Sequence, residues 1–353
     1  MKLSSKKKES KKRAVRALVL FSGGLDSILA AKILERQGID VTALTFTSFF
    51  FDAAQAEKSA RELEIKLRVE DVSPEHFRII RKPKFGYGVG MNPCIDCHLL
   101  MLKAAKYIMQ KDKYDFLATG EVLGQRPMSQ NIRALELIER EAGLVGKILR
   151  PLSAVVLSET EMEKYPRAKL SGKKLLGKIV KPLVDRSRLY GISGRSRKEQ
   201  MKLAEELKIK YYPTPAGGCI LTDKEYSRKL RELLTNVKNI KPSDIALLRI
   251  GRHFWFHPVR KAEILDFANP KLSNGVKIIL GRNHEENLKL KKIAEKSDIL
   301  LELKDIPGPL ALVRGESGEG AMEFAKEKII EYAKKVKIRK AKFSFSSPIV
   351  PEG

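Results

Sequence analysis

Two sets of residues in this 353-residue chain are of types that do chemistry. The first is the string Ser22-Gly23-Gly24-Leu25-Asp26-Ser27, which closes a short apolar run and opens an amphipathic one. Glycine there permits positive φ and lets backbone N–H groups approach an anion closely, while a helix N-terminus adds partial positive charge. Ser22 and Ser27 can donate further hydrogen bonds, so the string suits a phosphate. It is not a Walker A loop, because the Gly-Lys-Ser/Thr ending is missing. The second set is the cysteines: Cys94 and Cys97 in Asn92-Pro93-Cys94-Ile95-Asp96-Cys97, and Cys219 in Pro215-Ala216-Gly217-Gly218-Cys219. Three thiols exclude a disulfide scaffold in a chain this long. Their types leave four uses open: inert buried thiols, a redox dithiol, a zinc site completed by His98, or an iron–sulfur cluster with one iron left open.

These residues need elements to position them. Residues 17–22 form a short apolar run stopped by Gly23-Gly24, which predicts a buried strand. A helix is expected over 26–37, with Ile28, Leu29, Ile33 and Leu34 on one face and Gly38 as its stop. Strands follow at 41–47, 67–72, 114–119 (ending in Gly120) and 148–152, with helices at 53–63 and 99–110 between them. This alternation predicts an α/β fold: a doubly wound, mainly parallel sheet with ligands at the carboxyl ends of its strands. A basic insertion spans 155–197, then helices are expected at 198–207 and 224–234, separated by a Pro/Gly-rich loop. From residue 241 the rhythm changes to short strands at 246–250, 253–256, 276–280, 299–303 and 310–313, with helices at 285–296 and 320–335. The expected organisation is therefore a basic tail (1–16), a first domain (17–235), a smaller α+β domain (241–340) and a loose tail (341–353).

Charge narrows the partners. Lys and Arg number 69 against 43 Asp and Glu, a net charge of +26. Residues 147–210 alone hold 17 basic side chains against seven acidic ones. A Lys/Glu-rich solvated surface would stay near balance, so the excess points to a polyanion, whose counterions basic side chains release. No apolar run approaches the ~20 residues that cross a bilayer. The basic N-terminus leads into an apolar stretch too short for a signal sequence, so the expected location is the cytoplasm, with no membrane partner.

The full Ser-Gly-Gly-x-Asp-Ser string resembles the pyrophosphate loop of the N-type ATP pyrophosphatases, or PP-loop enzymes, which split ATP into AMP and pyrophosphate and adenylate a substrate oxygen. The resemblance implies ATP at Ser22, Gly23, Gly24, Asp26 and Ser27, with Asp26 helping to place Mg²⁺ or pyrophosphate. Adenine would then sit near Leu20, Phe21 and Phe46. Within that group, Asn92-Pro93 followed by Cys97 resembles the first catalytic-cysteine motif of the tRNA 2-thiouridylases, and Gly218-Cys219-Ile220-Leu221-Thr222-Asp223 sits where their second falls. Thr119-Gly120-Glu121 with Gly124-Gln125 and Ser129-Gln130, and Ile148-Leu149-Arg150-Pro151-Leu152, look more like the 4-thiouridine synthetases. The match to these tRNA thiouridine synthetases covers roughly residues 17–223.

Such an enzyme adenylates a uridine carbonyl and replaces its oxygen with sulfur. The resemblance implies catalytic roles for Asp26, Cys97 and Cys219, nucleotide contacts at Gly120 and Gln125, and Gln125, Arg126 and Ser129 near the reacting base. Members with Cys-x-x-Cys and a third Cys are similar to cluster-dependent enzymes. That implies a [4Fe–4S] cluster on Cys94, Cys97 and Cys219, with Zn²⁺, or a persulfide relay without metal, as alternatives. A synthetase of the same fold acting on a small molecule is a further alternative. The implied partners are tRNA and a sulfur donor (free sulfide or a persulfide carrier), with a second copy of the chain as another candidate. In the C-terminal region, Gly281-Arg282 with Asn287 and Asp305-Ile306-Pro307-Gly308 resemble the NFACT-R RNA-binding module, from which Pro309 and Leu310 depart. Trp255, between Phe254 and Phe256, suits either base stacking or an alternating core strand.

Overall fold

The structure, a computed structural model, describes residues 13–166, 181–214, 218–257, 275–333 and 341–348. The expected basic tail up to residue 12, the part of the basic insertion holding Lys173, Lys174 and Lys178, and residues 215–217 lie outside the described residues. The chain divides into two compact units: residues 1–88 with 92–218, and residues 89–91 with 219–353.

In the first unit, β1 (Arg16–Leu20) leads into α1 (Leu25–Glu35), followed by β2 (Asp40–Thr47), α2 (Ala54–Glu62), β3 (Lys66–Asp71) and α3 (Ser73–Arg81). Then come α4 (Cys94–Lys111), β4 (Phe116–Thr119), α5 (Ile132–Ala142) and β5 (Ile148–Leu149). The strands form one parallel sheet in the order β3-β2-β1-β4-β5. This is the doubly wound α/β arrangement that the alternating pattern predicts. Ala17, Leu18 and Val19 are fully buried, as are Leu117 and Ala118 of β4, because helices cover both faces of the sheet. The direction of winding reverses between β1 and β4. Side chains and loops at the carboxyl ends of those two strands therefore flank the crevice where such sheets bind ligands.

Helix α4 begins five residues earlier than the apolar periodicity indicates. Pro93 is its N-cap, and Asp96 in its first turn accepts hydrogen bonds from the backbone N–H groups of Lys84 and Phe85, both at 3.0 Å. The extension places both Cys94 and Cys97 on the first helical turn.

The second unit carries an antiparallel sheet in the order β10-β8-β9-β7-β6: β6 (Arg252–Phe256), β7 (Val276–Leu280), β8 (Ile299–Leu303), β9 (Ala311–Arg314) and β10 (Phe343–Ser346). Two expectations fail here. Residues 246–250 are not a strand: a helix, Pro242–Leu247, occupies the start of that region, with Pro242 in its first turn and the Asp244 carboxylate accepting the Lys241 N–H at 2.9 Å. Residues 343–346 are not tail, because they pair with β8 as an edge strand, and Phe343 joins the apolar core.

Lys277 on β7 is only 2% exposed, and its Nζ has no hydrogen-bond partner. Burial pushes its pKa down to about 7; Asp244 opposes this, while Arg314 and Lys229 reinforce it. Between pH 7 and the usual lysine range near 10.4 the unfolded chain binds the proton and the folded chain does not, so stability rises with pH across that window. Lys277→Met is expected to raise the melting temperature at pH 7 and flatten this rise. Thermal melts of both proteins from pH 6 to 10 check it; equal slopes would refute it.

Candidate active site

The Ser22–Ser27 loop lies between the carboxyl end of β1 and the N-terminus of α1. Gly24 is the N-cap of α1 and supplies no side-chain cap, so the first N–H groups of the helix are left for a ligand. Gly23 has φ +74°, and a Cβ there would lie 2.5 Å from the Gln55 carbonyl. The Ser59 hydroxyl fixes the turn by donating to the Gly23 carbonyl at 2.8 Å. Ser27 donates to the Gly24 carbonyl at 2.8 Å, and its Oγ lies 3.4 Å from that of Ser22.

Gly120, at the carboxyl end of β4, abuts this loop. A Cβ on it would come within 2.6 Å of backbone atoms of Asp26 and Ser27, so only glycine allows the approach. From the next turn, Gln125 Nε2 donates to Asp26 Oδ2 at 2.8 Å. Ser22, Gly23, Gly24, Asp26, Ser27, Gly120 and Gln125 thus come together. Two further residues join them, Arg197 from the end of the expected basic insertion and Gln200 from the helix expected after it. Gln200 Nε2 donates to Gln125 Oε1 at 3.3 Å, and Arg197 lies 3.7 Å from Asp26 Oδ2. Burial raises the Asp26 pKa, against the pull of the Gln125 hydrogen bond and the Arg197 and Arg126 charges. Asp26 Oδ1 is buried with no partner. A buried orphan carboxylate oxygen beside an uncapped helix N-terminus fits a divalent cation carried on a polyphosphate.

Phe46 and Phe21, expected beside adenine, are buried in the core. Phe46 packs with Leu18 and Leu44, and Phe21 with residues of the opposite face. Ser129 is also buried, and Gln130 is buried with an unpartnered Oε1.

The thiol helix is linked to the loop through β4. Glu121, directly after Gly120, accepts from the Thr119 hydroxyl at 3.0 Å and from Arg150 Nε at 3.0 Å, and lies 3.1 Å from His98 Nδ1. Burial alone would raise the Glu121 pKa, but Arg150 and His98 outweigh it and hold the carboxylate at about 2. Arg150 also pairs with Glu139. His98 adjoins Cys97. Cys97 is 9% exposed, and its Sγ lies 3.0 Å from His76 Nε2. His76 Nδ1 lies 3.0 Å from Ser48 Oγ, and its ring packs against Phe50 and Phe51. Burial lowers its pKa to about 4, so the imidazole is neutral. Cys94 Sγ accepts from Asn92 Nδ2 at 2.9 Å. His76 carried no sequence signal, since a lone His on a helix is ordinarily core.

Cys219 lies in the second unit, where its carbonyl accepts from the Thr222 N–H at 2.8 Å and the Thr222 hydroxyl at 2.6 Å. Three thiolates are the donor type an iron–sulfur cluster takes, and Cys94 and Cys97, one helical turn apart, fit two of its corners. Among the described residues, no three or more His, Cys, Asp or Glu side chains are grouped to hold a metal ion. No helix among them is long and apolar enough to cross a membrane.

Residues 13–165 match the family model described as thiamine biosynthesis protein (ThiI), and residues 271–348 match that of the NFACT protein RNA binding domain. A probable tRNA sulfurtransferase of Finegoldia magna is 30% identical over 145 residues, 39% of this chain and 36% of that protein. A tRNA-specific 2-thiouridylase of Syntrophomonas wolfei is 34% identical over 100 residues, 26% of this chain and 30% of the relative. The chain thus spans only about a third of the length of these curated relatives. A solved 4-thiouridine synthetase with RNA and ATP aligns at a TM-score of 0.33 and 21% identity, covering 55% of this chain and 52% of that one. The chain thus carries, on its parallel α/β sheet, a stretch similar to the ThiI family and, towards its C-terminus, a stretch similar to the NFACT RNA-binding domain.

Proposed function

We propose that the protein is an ATP-dependent tRNA sulfurtransferase that converts a uridine carbonyl to a thiocarbonyl, with 4-thiouridine favoured over 2-thiouridine. One observation carries the proposal: β4 is followed directly by Gly120-Glu121, whose first residue abuts the phosphate-type loop and whose second pairs with His98, next to Cys97. A nucleotide-activating loop and a thiol helix are thus built on one strand end. The ATP and thiol work is assigned to residues 17–235, and RNA contact to residues 241–340.

A carbonyl oxygen is a poor leaving group and must be esterified before sulfur can replace it. In the first step the uridine oxygen attacks the α-phosphorus of ATP, the N3 proton is lost, and pyrophosphate leaves. The loop N–H groups, Ser22 and Ser27 hold the departing pyrophosphate, and Arg197 and Arg126 offset its charge. Gln125 and Gln200 keep Asp26 aimed at the phosphates. Mg²⁺ would be held there by Asp26 and would neutralise phosphate charge. In the second step sulfur attacks the activated carbon and AMP leaves. Cys94, Cys97 and Cys219 would hold a [4Fe–4S] cluster, whose open iron supplies a site for sulfide.

A cluster-free reading is favoured by the His76 contact, a partner that a working thiol uses and an iron-bound thiolate does not need. In that reading a persulfide on Cys219 attacks the carbon and AMP leaves. The Cys97 thiolate then cleaves the S–S bond, freeing the thiolated base and leaving a disulfide that an external dithiol reduces. Anaerobically purified protein separates the two: absorbance near ~400 nm marks a cluster, and a colourless, fully active preparation marks the relay. The activity itself is tested by pyrophosphate release from ATP, expected to depend on added bulk tRNA. Equal release without RNA would point instead to small-molecule adenylation.

A further inference from the structure

A cavity of about 390 Å³ lies in the second unit, next to the turn that carries Cys219. Stretches distant in sequence wall it: Tyr226 and Lys229 from the Lys224–Asn236 helix, Arg249 from the turn before β6, and Arg282 from the turn after β7. Asp223 and Glu225 also line it, but both are engaged. Asp223 caps the helix by accepting the Tyr226 N–H at 2.7 Å, and Glu225 pairs with Lys229 at 2.9 Å. Arg282 is clamped on Glu286 through three side-chain hydrogen bonds of 2.9, 3.1 and 2.6 Å, which fixes it as part of the rim.

Tyr226 is the informative residue. It is 4% exposed, and its hydroxyl is buried with no hydrogen-bond partner. Burial pushes its pKa up to about 12, with Arg249 pulling it down and Cys219 pushing it further up, so both groups lie within electrostatic reach of the phenol. The phenol keeps its proton at every physiological pH and is a donor lacking an acceptor. A hydroxyl donor beside a guanidinium matches a tetrahedral oxyanion. Arg282 belongs to the stretch that matches the RNA-binding domain.

We infer that this cavity is a phosphate subsite for the RNA strand, in which a phosphodiester oxygen accepts from the Tyr226 hydroxyl and from Arg249. The RNA-binding domain would then hold the RNA strand directly at this cavity of the second unit. The inference rests on RNA being the substrate. A free oxyanion, such as phosphate or thiosulfate, is the other source of the same chemistry.

The test uses the full chain with fluorescently labelled bulk tRNA, titrated at several salt concentrations. Arg249→Gln is expected to weaken binding roughly tenfold and to lower the log–log salt slope by about one. Tyr226→Phe keeps the ring and is expected to weaken binding several-fold, with an unchanged melting temperature and ATP affinity. If both variants bind tRNA with wild-type affinity and slope while wild type still thiolates it, the subsite is refuted and the proposed function stands. Protection of the Tyr226 ring signals by inorganic phosphate, with tRNA binding unaltered in both variants, would assign the cavity to a free anion and also refute it. Wild-type protein that neither binds nor thiolates tRNA overturns subsite and function together.

Discussion

Replacing Asp26 with Asn is expected to slow tRNA-dependent pyrophosphate release by roughly 10²–10³-fold, the loss typical of removing one preorganised electrostatic group. The substitution is nearly isosteric, and an amide oxygen can still accept from Gln125, which now lies 2.8 Å from the carboxylate. The negative charge would be lost, and with it the buried oxygen that now has no partner. Arg197, 3.7 Å away, would then face an uncharged group. Affinity for tRNA should stay within a few-fold of wild type, because in the proposed mechanism this site takes the phosphates of the nucleotide and not those of the RNA. Steady-state pyrophosphate assays with fluorescence binding check both halves, and a variant releasing pyrophosphate at the wild-type rate would remove Asp26 from the site.

Cys219→Ser is expected to separate the two half-reactions. A hydroxyl neither carries sulfane sulfur nor serves as an ordinary cluster ligand, so thiolation should fall below detection, a loss of at least roughly 10³-fold on the scale of other essential catalytic groups. Pyrophosphate release should persist within a few-fold, because adenylation precedes sulfur attack and uses the Ser22–Ser27 loop. Cys97→Ser should behave the same way. Nucleoside mass spectrometry run beside the pyrophosphate assay reads both steps. Thiolation by Cys219→Ser at the wild-type level would exclude that sulfur from the reaction.

The parallel sheet and the phosphate-type loop are legible in the sequence because buried parallel strands read as short apolar runs and their ligand-binding turns end in glycine. Residues 17–22 and 114–119, closed by Gly23-Gly24 and Gly120, carry both signals. The start of α4 was harder to place. Its first turn is polar and thiol-bearing, and what holds it is the Asp96 carboxylate on two backbone N–H groups ten or more residues upstream. Residues 246–250 look strand-like because Ala246, Leu247, Leu248 and Ile250 are apolar around a single Arg249, and that short run outweighs the helix-start signal of Pro242 and Asp244. Alternation of Phe343 and Phe345 is the signal that residues 343–346 are a strand.

Other parts of the site are set only by long-range packing. Arg197 looks like one more charge at the end of a basic insertion and Gln200 like an ordinary residue of the helix after it, and nothing local announces that they reach the Asp26 site. The buried network joining Glu121, Arg150 and Glu139 is equally silent, since charged residues in a short run look solvent-facing until the fold buries them. Lys277 and Tyr226 belong to the same class: their chemistry comes from burial without a partner.

The most direct measurement combines full-length protein, ATP, bulk tRNA and sulfide under argon, and quantifies AMP and thiolated uridine in the same sample. A nucleotide-splitting loop coupled to a sulfur-transferring thiol set predicts that both products rise together, one for one, only when RNA is present. AMP accumulating at an unchanged rate without tRNA, or tRNA recovered with no sulfur on any uridine, would contradict that coupling.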